Sequence, residues 1–571
     1  MTQSKDVTAR DLPPFRGRQS RRARLFAVAV AAVVAFAAGL IVGAGSGEAP
    51  SERVASRFTT AWENGDWARM WALSAGPNRP RASTFTARYR AAADTATVSA
   101  IAFGRPRDER DGVVEVPAVV TTRVWGRLPA TLRLPVAGDG DAARVRWSSR
   151  LVFPGLRPGE QLRRETTLPA RADLRFRDNT KMSRFPELSA SIAGDLGSIP
   201  ADRAARMRAL GVPADGLVGL SGLQRVFDER LLGRPGGVLY AGRRVLARAV
   251  SVPARDVRTT ISPKVQRAAV DALAGRLGGA IALRPGSGEV LGAAGVAWSA
   301  LQPPGSTFKI VTLAGVLQAG VAKASSAFPV ATDATLSGVK LENANGESCG
   351  GTLLESFAES CNSVFAPLGA KLGARRLVAT ARRFGFGEAP PIAGAATPSL
   401  PPAEQIGDDL AVGSTAIGQG RVEATALQMA IVAATIADGG RRPRPTLQLG
   451  ARLPPVRAVS PRVARTVARM MRGVVRFGTG TAAALPGVTV AGKTGTAELE
   501  STVKAAGDQA PEAGATTQDQ TKDTDAWFAA FAPSGSRKTA RAAVGVLLVR
   551  AGAGGDTAAP AARGLLQAAL R

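Results

Sequence analysis

The polar and apolar positions divide the chain into regions of different period. Leu25 to Ala44 carries no charged residue and is about as long as a helix that crosses a bilayer. Arg16, Arg18, Arg21, Arg22 and Arg24 precede it, a cluster that holds an N-terminus in the cytoplasm. The small-residue stretch Val42-Gly-Ala-Gly also fits a cleaved signal peptide, but the apolar core exceeds the usual signal length of roughly 7–15 residues. The pattern therefore predicts a tail over 1–24, a transmembrane helix over 25–45, and the remainder outside the cytoplasm. Residues 46–155 read as a small α+β domain. It opens with an amphipathic helix from Val54 to Trp62, an Asn64-Gly65-Asp66 turn and a second helix from Trp67. Alternating strands follow, including 112–124 and 130–135. Residues 156–256 form a further segment, and 257–571 a large terminal domain. In the latter the spacing predicts a helix from Pro263 to Leu277, strands 279–283 and 289–293, and a long apolar helix from Thr307 to Ala319. It also predicts a helical stretch over 353–368, a helix over 463–475, and a strand at Val488 to Val490 running into Lys493. Strands 527–531 and 542–548 and a closing helix over 558–570 complete it. Residues 499–525 are polar, with too little apolar content to fold alone, and are expected to be a disordered insertion in a hairpin. The order suggests an antiparallel sheet between helical layers.

Composition changes this picture at two points. The net charge is +29 with a pI near 11.4. Basic chains can bind nucleic acid, but no recognition motif for it is present, and the charge suits anionic lipids and acidic wall polymers outside a cell. The chain has no histidine. A Ser-His-Asp triad and a His-ligated zinc site are therefore excluded, and a nucleophilic serine would need a lysine as its base.

Three Ser-x-x-Lys tetrads occur. Ser337 to Lys340 falls in a Gly- and Thr-rich loop and Ser501 to Lys504 in the polar tract. Only Ser306-Thr-Phe-Lys309 follows a Pro-Pro-Gly turn and opens a long apolar helix, which places serine and lysine one turn apart on one face. A lysine buried there would have a lowered pKa, and a neutral amine can take the serine proton. Ser360-Cys-Asn362 follows, a weak signal on its own because such residues also cap helices. Lys493-Thr494-Gly495-Thr496 comes last, a cation and hydroxyls on a strand where Gly492 and Gly495 are expected to keep one face bare for an extended anionic substrate.

Ser-x-x-Lys, Ser-x-Asn and Lys-Thr-Gly in this order match the signature of penicillin-recognising serine enzymes. The flanks agree: Gln302-Pro-Pro-Gly305, Gly418-Gln-Gly-Arg-Val-Glu423 with Leu427-Gln-Met429, and Ala526-Trp-Phe-Ala-Ala-Phe-Ala-Pro533. The chain resembles a class B, monofunctional penicillin-binding protein. Its Ala- and Arg-rich, Lys-poor composition suggests a high-GC bacterial genome, and the resemblance is to the actinobacterial type. The resemblance implies a five-stranded penicillin-binding transpeptidase fold. It implies Ser306 as the nucleophile, Lys309 as its base, Ser360 with Lys493 as a proton relay, and Asn362 as a substrate or lysine contact. Thr494, Gly495 and Thr496 would hold the substrate, with the N–H groups of Ser306 and Thr496 as oxyanion hole and no metal or cofactor. It further implies that 46–155 is a nuclear-transport-factor-2-like domain and 156–256 a pedestal, or dimerisation, domain. There Pro169-Ala-Arg-Ala-Asp-Leu-Arg-Phe-Arg-Asp178 is a degenerate form of the family's opening pattern.

The implied activity is D,D-transpeptidation of peptidoglycan stem peptides from a lipid-linked precursor, with β-lactams as covalent ligands. A D,D-carboxypeptidase or β-lactamase would use the same motifs with water as acceptor, and a silent wall scaffold would keep the fold. The family's glycosyltransferase motif contains a histidine, so polymerisation would come from a partner, a polytopic membrane glycosyltransferase among the cell-wall or divisome proteins. Cys349 and Cys361 lie near the second motif, Cys361 within it, and either pair outside the cell or stand as buried thiols.

Overall fold

The computed structural model describes residues 49–498, 524–535 and 539–571. The expected transmembrane helix over 25–45 lies outside them, as does the insertion apart from its last two residues. Thr524 and Asp525 instead open a strand, and Asp525 is buried. Among the described residues no helix is long and apolar enough to cross a membrane.

The chain divides into two compact units. The first contains helices α1 (Pro50–Glu63), α2 (Trp67–Ala72) and α3 (Ala82–Thr95). Its sheet includes β1 (Val98–Phe103), β2 (Val113–Thr122), β3 (Gly126–Ala137) and β4 (Arg144–Arg146), with β2 paired antiparallel to β1 and β3. Proline at the first turn of α1 suits a position whose N–H has no helical partner. Val54, Ala55, Phe58, Ala61 and Trp62 then form one buried face. Val114, Val116, Ala118 and Val120 alternate inward along β2, as a half-buried strand requires. Trp62, Phe85, Tyr89 and Trp147 fill the core between helices and sheet, with Trp62 and Tyr89 edge to face at 4.8 Å.

The second unit holds the catalytic motifs and the segment before them. Helix α4 (Pro186–Ala193) and the residues Leu174, Phe176, Leu223 and Leu231 share one hydrophobic core with the terminal domain. The segment that departs from the family's opening pattern is pinned by charge: Arg171 to Asp228 at 2.9 Å, Arg175 to Asp256 at 2.6 Å, Arg177 to Glu289 at 3.0 Å. Asp228 is buried and also accepts a hydrogen bond from the Gly219 N–H.

Beyond it come α5 (Pro263–Leu273), β5 (Gly278–Leu283) and β6 (Val290–Gly295). A 3-10 turn, Gly305–Phe308, leads into α6 (Lys309–Gln318). Short strands β7 (Ala327–Ala331), β8 (Asp333–Leu336), β9 (Val339–Glu342) and β10 (Cys349–Thr352) precede α7 (Leu353–Ala358) and α8 (Asn362–Leu372). Then follow α9 (Asp409–Ala416), α10 (Ala426–Ala437), α11 (Pro461–Arg476), β11 (Ala491–Glu498), β12 (Thr524–Ala532), β13 (Ala542–Leu548) and α12 (Ala558–Leu570). The main sheet runs β6-β5-β13-β12-β11, antiparallel throughout. Its alternating residues feed two cores. Ala280, Ala282, Phe528, Val544 and Val546 face α5 and α12, while Ile281, Leu283, Trp527 and Leu547 face the helices that carry the motifs. This is the expected sheet between helical layers, with β11 at one edge.

Four local expectations need correction. Ser306 lies in a 3-10 turn, and the α-helix begins at Lys309 rather than Thr307. The stretch 353–368 is two helices broken at Glu359 to Cys361, and Ser360 sits at φ +68°. Ser337 lies in the turn of the β8–β9 hairpin, but Lys340 is on strand β9, an exposed side chain facing Asp333. The strand expected at 488–490 starts at Ala491, so the Lys-Thr-Gly residues are its body.

Candidate active site

The site is built from three close approaches of backbone. Gly305, at φ +50°, starts the 3-10 turn, and a Cβ on it would lie 2.6 Å from the Thr496 carbonyl oxygen. Its N–H donates to the Gly418 carbonyl at 3.0 Å, and a Cβ on Gly418 would meet the Gly305 oxygen at 1.9 Å. A Cβ on Gly495 would press on the Pro304 oxygen at 2.8 Å and on Thr307 at 3.0 Å. These glycines let the Ser306 turn lie directly on β11. Gly492 and Gly495 do not bare one face together. Three residues apart on a strand, they point to opposite sides; Gly492 accommodates the Phe528 ring, and Gly495 the serine turn.

Lys309 projects from the first turn of α6 and is fully buried. Its Nζ donates to the Ser360 carbonyl at 2.6 Å and to Asn362 Oδ1 at 2.6 Å, and lies 3.3 Å from Ser360 Oγ. Burial pushes its pKa well below the usual lysine value, and the nearby Lys493 ammonium pushes it further. A neutral amine has two N–H bonds. The two carbonyl oxygens take both, so the nitrogen lone pair is left for a hydroxyl proton. Lys493 is also fully buried, and burial lowers its pKa to about 7. Each Nζ lies near an aromatic ring, Lys309 at 5.8 Å from Phe365 and Lys493 at 5.7 Å from Phe357, and the second suits the protonated form of Lys493.

The second motif is positioned by its surroundings rather than by a helix. Asn362 Nδ2 donates to the Glu342 carbonyl at the end of β9, at 2.8 Å. Asn343 accepts from the Ser363 N–H and donates to the Ala331 and Glu347 carbonyls, each at 2.8 Å. Cys349 on β10 is disulfide-bonded to Cys361, with Cα atoms 5.8 Å apart. The residue between Ser360 and Asn362 is thereby tied to the adjoining strand.

On β11, Thr494 Oγ1 lies 3.4 Å from Lys493 Nζ and 2.5 Å from Thr479 Oγ1. Thr479 in turn approaches the Ala358 carbonyl through both its N–H, at 3.1 Å, and its hydroxyl, at 3.3 Å. Thr496 Oγ1 accepts from the Gly554 N–H at 3.3 Å. The structure thus brings Ser306, Lys309, Ser360, Asn362, Lys493, Thr494, Gly495 and Thr496 into one region, while the tetrad at Ser337 stands apart and that at Ser501 lies outside the described residues. Sequence reasoning passed over Thr479 and Asn343. The signal for Thr479 was a hydroxyl between two glycines just upstream of Lys-Thr-Gly; Asn343 left none.

The penicillin binding protein transpeptidase domain family matches residues 278–567, and the chain belongs to it, as a transpeptidase of the class B penicillin-binding type. The peptidoglycan D,D-transpeptidase PbpA of Mycolicibacterium smegmatis is 34% identical over 410 residues, covering 60% of this chain and 77% of the relative. Its Mycobacterium tuberculosis counterpart is 32% identical over the same length. Among solved structures, penicillin-binding protein A from M. tuberculosis as an imipenem acyl-enzyme complex matches with a TM-score of 0.52 and 27% identity, over 70% of this chain and 98% of that one. The D,D-transpeptidase domain of a peptidoglycan glycosyltransferase from Eggerthella lenta matches with a TM-score of 0.53 and 25% identity, over the same shares.

Proposed function

We propose that this chain is a peptidoglycan D,D-transpeptidase working through an acyl-serine, and that it is acylated by β-lactams. The observation that carries the mechanism is Lys309: buried, its pKa pushed well below the usual lysine value by that burial, with two carbonyl oxygens each 2.6 Å from Nζ, one turn from Ser306. Ser306 attacks the carbonyl of the penultimate D-Ala of a donor stem peptide while Lys309 takes its proton. The tetrahedral oxyanion is held by the N–H groups of Ser306 and Thr496, a type of contact typically worth a few kcal/mol. Ser360 passes its proton to the departing D-Ala amine and takes back the one held by Lys309, whose Nζ lies 3.3 Å from its Oγ, with Lys493 aiding the relay. Asn362 keeps Lys309 in place, and Thr494 and Thr496 hold the substrate carboxylate beside Lys493. The acceptor amine of a second stem peptide then displaces Ser306 and closes the cross-link.

The same reading extends to the rest of the chain. Residues 25–45 anchor it in the membrane with the N-terminus inside and the catalytic unit outside. Residues 46–155 are a nuclear-transport-factor-2-like spacer, supported by the order of three helices and an antiparallel sheet. Residues 156–256 are the pedestal, and a polytopic membrane glycosyltransferase supplies the glycan strands.

Labelling with a fluorescent penicillin tests the assignment. Label is expected on the wild type and on Ser337→Ala, and none on Ser306→Ala; slow loss of the label marks a transpeptidase and rapid loss a β-lactamase. An unlabelled wild type that also fails to turn over a D-Ala-D-Ala thioester would overturn the enzyme reading.

A further inference from the structure

Helix α11 carries a feature that the chemistry at Ser306 does not use. Arg462, Arg465, Arg469, Arg472 and Arg476 fall on one side of it. At 100° per residue they span an arc of about 80°, and at 1.5 Å per residue a length of about 21 Å. Arg472 is half-buried and the other four are exposed. The opposite face, Val463, Val467, Met470, Met471 and Val474, is core. The helix contains no acidic residue. Among the described residues the one side-chain hydrogen bond made by any of the five guanidiniums is from Arg472 to Ser534 Oγ, at 3.3 Å. The arginines of the segment before the catalytic domain are arranged differently. There Arg203 meets Asp228, and Arg206 meets Glu229.

Such a stripe opposes folding. Neighbours at i,i+3 and i,i+4 with like charge repel, and Arg462 and Arg465 sit at the positive end of the helix dipole. The dipole favours only Arg476, in the last turn, and among the described residues no carboxylate pairs with any of the five, so the remaining repulsion points to an anionic ligand. The five charges are evenly spaced in a line, which fits a polymer with repeating anions better than a single small ion. The line also leads to the site: three residues beyond Arg476, Thr479 hydrogen-bonds Thr494 on β11.

We propose that the arginine face of α11 is a track for the nascent, un-cross-linked peptidoglycan strand, gripping the carboxylates of successive stem peptides while one of them occupies the site. This rests on the transpeptidase reading above. Guanidinium groups suit the role because each presents a planar fork to a carboxylate.

The test compares the full chain in neutral detergent with its Arg465→Gln/Arg469→Gln/Arg476→Gln variant, none of these residues being in the catalytic machinery. The probes are un-cross-linked peptidoglycan polymer, the same polymer with its carboxylates amidated, and phosphatidylcholine vesicles with and without phosphatidylglycerol. Wild type should bind the native polymer in a salt-sensitive way, and the variant should bind it roughly tenfold more weakly with a shallower salt dependence. The amidated polymer should bind both proteins equally, and penicillin should acylate both at the same rate. Unchanged polymer binding in the variant overturns the proposal, as does an equal loss on amidated polymer. A loss seen with anionic vesicles but not with polymer assigns the face to the membrane instead and also overturns it. Failure of penicillin to label the wild type would strike the transpeptidase reading, not the track.

Discussion

Two fully buried lysines decide how the site behaves at the scale of single residues. Lys493 has its pKa lowered by burial from 10.5 to about 7, and Lys309 is lowered in the same direction. Between about pH 7 and the unfolded value the unfolded chain binds a proton that the native state does not. Stability must therefore rise with pH through that window and be lowest below it. Lys493→Met is expected to be more stable than wild type near pH 6.5, by an amount that shrinks by pH 9.5. Urea midpoints at the two pH values measure this; a difference that is constant or grows with pH would contradict the buried-lysine account. A second residue-scale prediction concerns Thr479, whose hydroxyl lies 2.5 Å from that of Thr494, proposed above to hold the substrate carboxylate. Thr479→Val should slow acylation by penicillin by up to about tenfold, the worth of roughly one neutral hydrogen bond, and Thr479→Ser should restore it. A penicillin methyl ester, which lacks the carboxylate, should react with all three proteins alike. An equal slowing with the ester would reduce Thr479 to a structural role.

At the scale of elements, the second motif shows where reading the sequence succeeds and where it stops. Long periodic segments were legible: the closing helix is found over 558–570 and the strand over 542–548, as the pattern predicts. Ser306 stood out because Pro-Pro-Gly and an apolar run frame it. The break at Ser360 was not legible, because Leu353 to Leu368 keeps helical periodicity across it. What bends the chain there is tertiary: Asn343, the β9 carbonyl and the Cys349–Cys361 bond, all remote in sequence from Ser360 or silent until paired. The opposite faces of Gly492 and Gly495 followed from their odd spacing alone, but which neighbour each glycine makes room for depends on packing. The disulfide closes a short loop, and its removal in a Cys349→Ala/Cys361→Ala variant should cost about 3 kcal/mol on the chain-entropy account. Reducing agent should lower the wild-type urea midpoint and leave the variant's unchanged. The variant should also be acylated more slowly, since Ser360 and Asn362 lose one of their anchors. Equal midpoints for wild type and variant without reductant would show that the bond contributes nothing.

At the scale of the whole molecule, the two units differ in how they are held together. The first is built around an aromatic core of Phe58, Trp62, Phe85, Tyr89 and Trp147. The second is built around an antiparallel sheet, with Leu174, Phe176, Leu223, Leu231 and the site helices in one continuous core. Separate cores are expected to unfold separately, so two-state behaviour should fail for this chain. Tryptophan distinguishes the units: Trp62, Trp67, Trp71 and Trp147 belong to the first, Trp125, Trp298 and Trp527 to the second. A covalent ligand at Ser306 bears on the second alone. The contacts proposed for it with Lys493, Thr494 and Thr496 need β11 to lie against the serine turn, so it is expected to stabilise the folded form of that unit. Calorimetry should therefore show two transitions, and acylation by penicillin should raise the midpoint of one. Tryptophan fluorescence, weighted to the first unit, should follow mainly the transition that does not move. If acylation shifts both transitions together, or a single transition accounts for all the heat, the units are thermodynamically coupled, and the N-terminal unit would have to be counted as part of the catalytic machine rather than as a spacer.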